Sequence, residues 1–165
     1  MNGNDLLLKL WPPFAEKIIE LSQRSGQKGV IIKPQCGLRT FAEQDELYAR
    51  GRTKQNPYSP STSKHPLGEI CTTKKGGESW HNFGVACDMI PLNNKWSADG
   101  KSSWELCMGE IGEKLGLTWG GRWVVPIDAP HFQLTLKLSL QEAKHLHDKG
   151  GLGAIWNELT KRLTA

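Results

Sequence analysis

A single carboxylate interrupts the apolar segment Val85-Ala86-Cys87-Asp88-Met89-Ile90. The apolar residues on both sides of Asp88 predict a short, buried strand over residues 84–90. Burying a carboxylate costs free energy unless a cationic or hydrogen-bonding group meets it. Any fold of this chain must therefore bring such groups from elsewhere in the sequence to Asp88.

Helices and strands are mixed along the rest of the chain without an internal repeat. A Thr40–Glu43 capping box predicts the start of one helix, which Gly51 ends. By apolar spacing, helices are expected over residues 14–24, 41–50, 103–115, 140–149 and 152–163, with further strands over 30–36 and 131–136. Residues 119–123 predict a turn, and residues 52–79 predict a long functional loop, because they are rich in Gly, Pro, Ser, Thr and Lys. Since no regular βαβ order is present, the fold class is α+β with a small antiparallel sheet flanked by helices.

The chain has 165 residues, of which 38% are hydrophobic and 23% are charged. This size fits one compact domain and leaves little room for a second. No apolar run approaches the roughly 18 residues that a membrane span needs, so no stable membrane insertion is expected. The N-terminus lacks a basic region before its short leucine run, so we expect no signal peptide.

The net charge of +4 comes without a dense Lys/Arg stripe interleaved with aromatic residues, so nucleic-acid binding is not expected. The four cysteines form no C-x-x-C pair, which argues against a thiolate zinc site or a redox motif. We expect them to be reduced thiols, mostly buried as small hydrophobic residues.

A second polar cluster, Asp128-Ala129-Pro130-His131, precedes the last predicted strand. Residues three apart in a regular strand face opposite sides, so Asp128 and His131 serve one site only if the chain bends at Pro130. His81 precedes Asp88, and Gly84 lets the backbone turn between them. Two histidines and one carboxylate form a standard catalytic zinc set, and a further carboxylate is the expected base. The predicted ligands are therefore His81, Asp88 and His131, with Asp128 as the base.

The pattern Ser79-x-His81-x-x-Gly84-x-Ala86-x-Asp88, followed by Asp128-x-x-His131, resembles the zinc D-alanyl-D-alanine carboxypeptidase family. That family includes the L-alanyl-D-glutamate endopeptidases of phage endolysins, and its metal set is shared with lysostaphin-type peptidases and hedgehog domains. Gly37-Leu38-Arg39-Thr40 with Gln44 matches the family's upstream segment, and residues 116–123 resemble the endolysin branch. The resemblance runs from about Cys36 to Gln133, and the long segment 52–79 departs from it.

The resemblance implies a zinc-dependent peptidoglycan peptidase that hydrolyses the L-Ala–D-Glu bond of wall stem peptides. Asp128 and Arg39 are the implied catalytic residues, and Gln44, Ser79 and Trp80 are weaker candidates for substrate binding. One alternative is a D,D-carboxypeptidase that removes terminal D-Ala. A second is a non-catalytic, metal-stabilised module that binds wall peptides, although a structural zinc needs no base such as Asp128.

The expected biology follows from the endolysin branch. We expect a single peptidase domain over residues 1–165, without a separate wall-binding domain, and a monomer. Without a signal peptide, the protein is expected to remain in the host cytoplasm until a holin releases it to the periplasm and cell wall.

Overall fold

The computed structural model of the chain describes residues 3–92 and 101–165. It has an α+β architecture in which helices pack around a small antiparallel sheet, as the sequence predicts. The helices are α1 (Gly3–Leu7), α2 (Pro12–Gln27), α3 (Phe41–Ala49), α4 (Ser103–Lys114) and α5 (Leu140–Thr164). The strands are β1 (Ile32–Cys36), β2 (Ala86–Pro91), β3 (Thr118–Trp119) and β4 (His131–Gln133). Two short 3₁₀ turns cover Trp80–Phe83 and Gly120–Arg122.

The sheet has the strand order β1-β2-β4-β3, so the strand that carries Asp88 lies in its centre. Each neighbouring pair is antiparallel. Asp88 is the Cα partner of Cys36 on one side and of His131 on the other. These three residues therefore form a row across the sheet from β1 to β4.

The predicted helix signals are confirmed where they are strongest. In α2, the apolar stripe of Phe14, Ile18 and Leu21 is buried in the core. In α3, the Thr40–Glu43 capping box is present, with the Glu43 amide donating to Thr40 Oγ1 at 3.2 Å. Both helices begin where their proline or capping signals place the first turn.

Two elements are too short to be predicted from the spacing of apolar residues. Helix α1 has five residues and strand β3 has two, so neither offers a full period of apolar residues. The two predicted closing helices are both present within α5, and they meet at a kink where the backbone angles of Gly150 and Gly151 are not helical. The last strand ends at Gln133 rather than at residue 136.

The long loop, residues 52–79, contains no helix or strand but is fastened to α3. The Arg52 guanidinium donates to the carbonyl of Thr72 at 2.8 Å and lies 3.8 Å from the ring centroid of Tyr48. The Gly76 amide donates to Asp45 Oδ1 at 2.8 Å. The loop thus packs along the helix that follows Arg39.

Among residues 3–92 and 101–165, no helix has both the length and the apolar character needed to span a bilayer.

Helix α4 approaches the sheet closely because two glycines face it. A Cβ built at Gly112 would lie 2.4 Å from Cε1 of Phe132, a fully buried residue of β4. A Cβ at Gly109 would lie 2.3 Å from the Trp119 ring. The two glycines therefore set the distance between α4 and the strands β3 and β4.

We predict that Gly112→Ala destabilises the protein by about 1–3 kcal/mol, because the added methyl group overpacks the core. The matched control is Gly153→Ala in α5, where nothing lies within 4 Å of the added Cβ. There, the better helix propensity of alanine should stabilise the fold by about 0.5–1 kcal/mol. Urea unfolding of both variants measures the difference, and equal effects of the same sign would contradict the close approach of α4.

Candidate metal centre and active site

Three of the predicted ligands meet at one point between β2, β4 and the 3₁₀ turn that precedes β2. His81 Nε2 lies 3.3 Å from Asp88 Oδ1, His131 Nδ1 lies 3.2 Å from the same oxygen, and the two nitrogens are 3.3 Å apart. Four-coordinate zinc has ligand bonds of about 2.0–2.1 Å, so neighbouring ligand atoms of a tetrahedron are about 3.3 Å apart. The three atoms therefore fit one triangular face of such a site.

The ring of His81 is oriented by the backbone. Its Nδ1 lies 2.8 Å from the carbonyl oxygen of Gly37, so Nδ1 carries the proton and donates it. The Nε2 lone pair is thereby directed to Asp88 and His131. Gly84, which has a φ of +69°, ends the 3₁₀ turn and lets the chain enter β2.

The ring of His131 has the opposite orientation. Its Nε2 lies 3.0 Å from Oε1 of Gln133 and donates to that amide, which leaves the Nδ1 lone pair towards Asp88. Gln133 shares the strand face of His131, as the sequence predicts. A fixed proton on the outer nitrogen is the usual arrangement of a metal-binding histidine.

The charges of the cluster favour a bound cation. Burial alone raises the pKa of Asp88, but His81 and His131 outweigh it and hold that pKa well below its usual range. Burial lowers the pKa of His81, whereas the Asp88 carboxylate raises it, and the net result is a pKa of about 10, so a metal cation would have to displace a proton from Nε2 to use its lone pair. Asp88 thus stays ionised and stabilises positive charge beside it. Two imidazoles and one ionised carboxylate are a donor set that suits zinc and leaves a coordination position open.

Asp128 is brought to the cluster by the turn that the sequence predicts at Pro130. Its carboxylate lies within 4.8 Å of the ligand atoms of Asp88 and His131. The amide of His131 donates to the Asp128 carbonyl at 3.0 Å, which closes the turn. Burial and the negative charge of Asp88 raise the pKa of Asp128, in the direction that suits a proton acceptor at neutral pH.

A glycine-containing segment holds this turn in place. The Asp128 amide donates to the carbonyl of Gly120 at 3.1 Å, and a Cβ at Gly120 would lie only 2.4 Å from the Asp128 carbonyl oxygen. The indole of Trp119 donates to the Ala129 carbonyl at 2.7 Å. Trp119 is therefore a buried support for Asp128, whereas Trp123 packs its ring 5.1 Å from that of His131.

Arg39 lies at the β1 side of the cluster and is held by two side chains. One guanidinium nitrogen donates to Gln44 Oε1 at 2.6 Å, and another donates to the sulfur of Cys36 at 3.0 Å. The positive charge of Arg39 acts on Asp128, whose pKa it lowers against the larger effects of burial and Asp88.

Gln44 was expected among the substrate-binding residues, and its position favours a different role. It is only 1% exposed, and its amide donates to the Lys74 carbonyl at 2.8 Å while accepting from Arg39. Both ends of the side chain are thus occupied inside the protein. Gln44 positions Arg39 and joins it to the long loop.

Ser79 and Trp80 lie on the segment that carries His81, and both are half-buried. Trp80 packs edge-on against Phe83, with ring centroids 6.0 Å apart. Their contact with a substrate stays a prediction.

The contacts of two residues near the site are not predicted from the sequence. The amide of buried Asn82 accepts from the Gly77 amide at 2.9 Å and donates to the Arg39 carbonyl at 2.9 Å, so it ties the long loop to the Arg39 segment. Cys36 was expected to be an inert thiol, yet it contacts Arg39 and lies 4.0 Å from His81 Nδ1. Burial raises the pKa of Cys36, but His81 and Arg39 outweigh it and leave that pKa lowered. For Asn82, the only signal in the sequence is its position directly after His81 in the motif.

Comparisons with known proteins agree with this geometry. The family described as D-alanyl-D-alanine carboxypeptidase matches residues 72–134, the range that contains all three predicted ligands and Asp128. The chain is 36% identical over 136 residues to the peptidoglycan L-alanyl-D-glutamate endopeptidase CwlK of Bacillus subtilis, covering 76% of this chain and 73% of that protein.

A solved structure has the same fold. The L-Ala D-Glu endopeptidase ChiX of Serratia marcescens matches with a TM-score of 0.51 at 22% identity, over 82% of this chain and 87% of that one. The predicted family and the predicted enzyme class are both confirmed by these findings. The chain belongs to the D-alanyl-D-alanine carboxypeptidase family and is a metallopeptidase.

Proposed function

We propose that this protein is a zinc-dependent peptidase that hydrolyses the L-Ala–D-Glu bond of peptidoglycan stem peptides. The observation that carries the proposal is the triangle of His81, Asp88 and His131 with the Asp128 carboxylate beside it. The choice of bond is supported by the 36% identical relative, which is named for that activity.

His81, Asp88 and His131 are the residues that would hold the metal, through Nε2, a carboxylate oxygen and Nδ1 respectively. When bound, zinc supplies Lewis-acid chemistry, polarising a carbonyl and lowering the pKa of water to about 7. The Gly37 carbonyl and the Gln133 side chain keep the two imidazoles in the tautomers that this binding requires.

Asp128 is the proposed general base. Its carboxylate is not needed to complete the ligand triangle, and it lies close enough to that triangle to take a proton from an attacking water. The same group then delivers the proton to the leaving amine of D-Glu. The hydrogen bond from the Asp128 amide to Gly120 keeps the carboxylate on this side of β4.

Arg39 is the proposed electrostatic partner of the substrate. Its guanidinium is a permanent cation, fixed by Gln44 and Cys36, so little conformational entropy is lost when it meets an anion. Such a group stabilises either the negative charge that develops on the scissile carbonyl or a carboxylate of the stem peptide.

A D,D-carboxypeptidase that removes terminal D-Ala is the second candidate. It is favoured by the description of the matching family, D-alanyl-D-alanine carboxypeptidase. Both reactions use the same ligands and base, so they differ in which amide bond reaches the metal centre.

We further propose that the protein acts as a phage endolysin, because residues 116–123 resemble that branch of the family. As a monomer, it would accumulate in the host cytoplasm and reach the cell wall when a holin opens the membrane. Peptidoglycan is its partner in this proposal.

The first prediction is that each chain holds one zinc ion. Elemental analysis of carefully purified protein should find close to one equivalent, and a chelator should abolish hydrolysis of sacculi until zinc is restored. A protein that stays fully active without metal would show that the His–Asp–His cluster has another purpose.

The second prediction separates catalysis from metal binding. Asp128→Asn keeps the size of the side chain but removes its basicity, so turnover should fall by roughly 10²–10⁴-fold while zinc is retained. His131→Ala removes a ligand and should lose zinc and thermal stability together. Zinc content, Tm and the rate of wall hydrolysis are measured on both.

The control for that pair is Asp148→Asn, the same chemical change at an exposed position of α5. It should match the wild type in all three measurements. If Asp128→Asn loses zinc as readily as His131→Ala, then Asp128 is a ligand and the assigned roles of the two carboxylates are wrong.

The third prediction concerns the bond. Mass spectrometry of digested, purified sacculi should detect fragments with new D-Glu amino termini. Release of free D-Ala without such fragments would favour the carboxypeptidase alternative.

A further inference from the structure

A groove of about 780 Å³ adjoins the metal centre on the β1 side. It lies between α1, β1 and α3, and two of its lining residues contact His81 or Arg39. Gly37 accepts the hydrogen bond from His81, Cys36 contacts Arg39, and Arg39 itself lines the groove. The groove therefore reaches the surroundings of the metal centre through Arg39, whose charge also acts on Asp128.

The charge of the groove is positive. Its four cationic residues are Lys9, Lys33, Arg39 and Arg50. Two carboxylates also line it. Glu46 pairs with Lys54, whereas Glu43 accepts from Thr40 in the capping box and keeps a negative charge on which Arg39 and Lys9 act. Within residues 3–92 and 101–165, the ammonium groups of Lys9 and Lys33 form no ion pair. The four cations outnumber the two carboxylates, so the groove has a net positive charge.

The opposite side of the metal centre is apolar rather than basic. The row of Cys36, Asp88 and His131 runs from β1 to β4, and the ring of Trp123 packs on His131 at its far end. The next residues, Val124 and Val125, are 88% and 87% exposed. The cation of this segment, Arg122, is paired with Glu113. One side of the site is therefore basic, and the other is apolar.

A stem peptide has the same asymmetry on the two sides of the L-Ala–D-Glu bond. L-Ala contributes a methyl group, whereas D-Glu and the peptide that follows it carry carboxylates. We propose that the groove binds the carboxylate-bearing part of the stem that begins at D-Glu. The peptide then crosses the metal centre in one direction, with L-Ala towards Trp123 and Val124. This inference rests on the proposed function, which supplies the substrate.

Lys33 is the residue that tests the groove. It is exposed, it lines the groove, and it belongs to neither the ligand set nor the proposed catalytic pair. Lys33→Glu replaces an attraction for a carboxylate by a repulsion. Lys149→Glu makes the same change at an exposed position of α5 that does not line the groove, and so serves as the matched control.

The experiment measures binding without cleavage. A synthetic stem fragment that begins at D-Glu is titrated into the protein by calorimetry at low salt, once with free carboxylates and once with amidated ones. The wild type should bind the free form more tightly. Lys33→Glu should weaken binding of the free form by about three- to tenfold and leave binding of the amidated form unchanged. Lys149→Glu should bind both forms as the wild type does.

A second variant and two further measurements separate a failure of the groove assignment from a failure to fold and from a failure of the proposed function. Lys9→Glu should repeat the effect of Lys33→Glu, and the Tm of every variant checks that it folds. If the wild type binds both fragments equally, or if Lys33→Glu and Lys9→Glu leave binding of the free form unchanged, the groove assignment is overturned. Hydrolysis of the complete stem peptide is measured in parallel. A wild type that shows carboxylate-dependent binding but cleaves no L-Ala–D-Glu bond would contradict the proposed function and leave the groove as a binding site.

Discussion

The Asp88 carboxylate lies within 3.3 Å of nitrogens from two imidazoles, and the rest of the site is arranged around that meeting point. Because Asp88 sits in the central strand β2, its partners must arrive from neighbouring elements. His131 comes from β4 as its direct Cα partner, and His81 comes from the 3₁₀ turn that precedes β2. The pairing of β2 with β4 therefore brings His131 to Asp88, and the turn before β2 adds His81.

Backbone carbonyls do much of the positioning in this site. The Gly37 carbonyl orients His81, the Gly120 carbonyl holds the Asp128 amide, and the Ala129 carbonyl accepts from Trp119. Glycine is required at position 120 because a side chain there would collide with the Asp128 carbonyl. Such contacts place side chains through the backbone, and they hold the Asp128 carboxylate close to Asp88 and His131 although Asp128 precedes its strand.

The sequence predicts which residues form the site better than it predicts the contacts that place them. Asp88 could be found because a carboxylate in an apolar strand demands partners, and His131 because proline and aspartate precede it at a fixed spacing. The pairing of Cys36 with Asp88 could not be predicted, since cross-strand register depends on β1, which has no motif of its own. The partners of Asn82 and Gln44 could not be predicted either, because the position of a buried amide is set by the groups around it, several of which are backbone groups. Short elements such as α1 and β3 carry too few residues to show a period.

Hydrogen bonds connect the long loop, residues 52–79, to the site. The Lys74 carbonyl accepts from Gln44, and Gln44 accepts from Arg39. Asn82 makes a second connection, from Gly77 to the Arg39 carbonyl. Neither connection passes through the side chain of His81, Asp88 or His131, although the second one runs through Asn82, the residue directly after His81. What the loop can change is the orientation of Arg39, the cation that lies between the metal centre and the basic groove. Variation in this loop would therefore act on the orientation of Arg39 and, under the proposed function, on how the substrate is held.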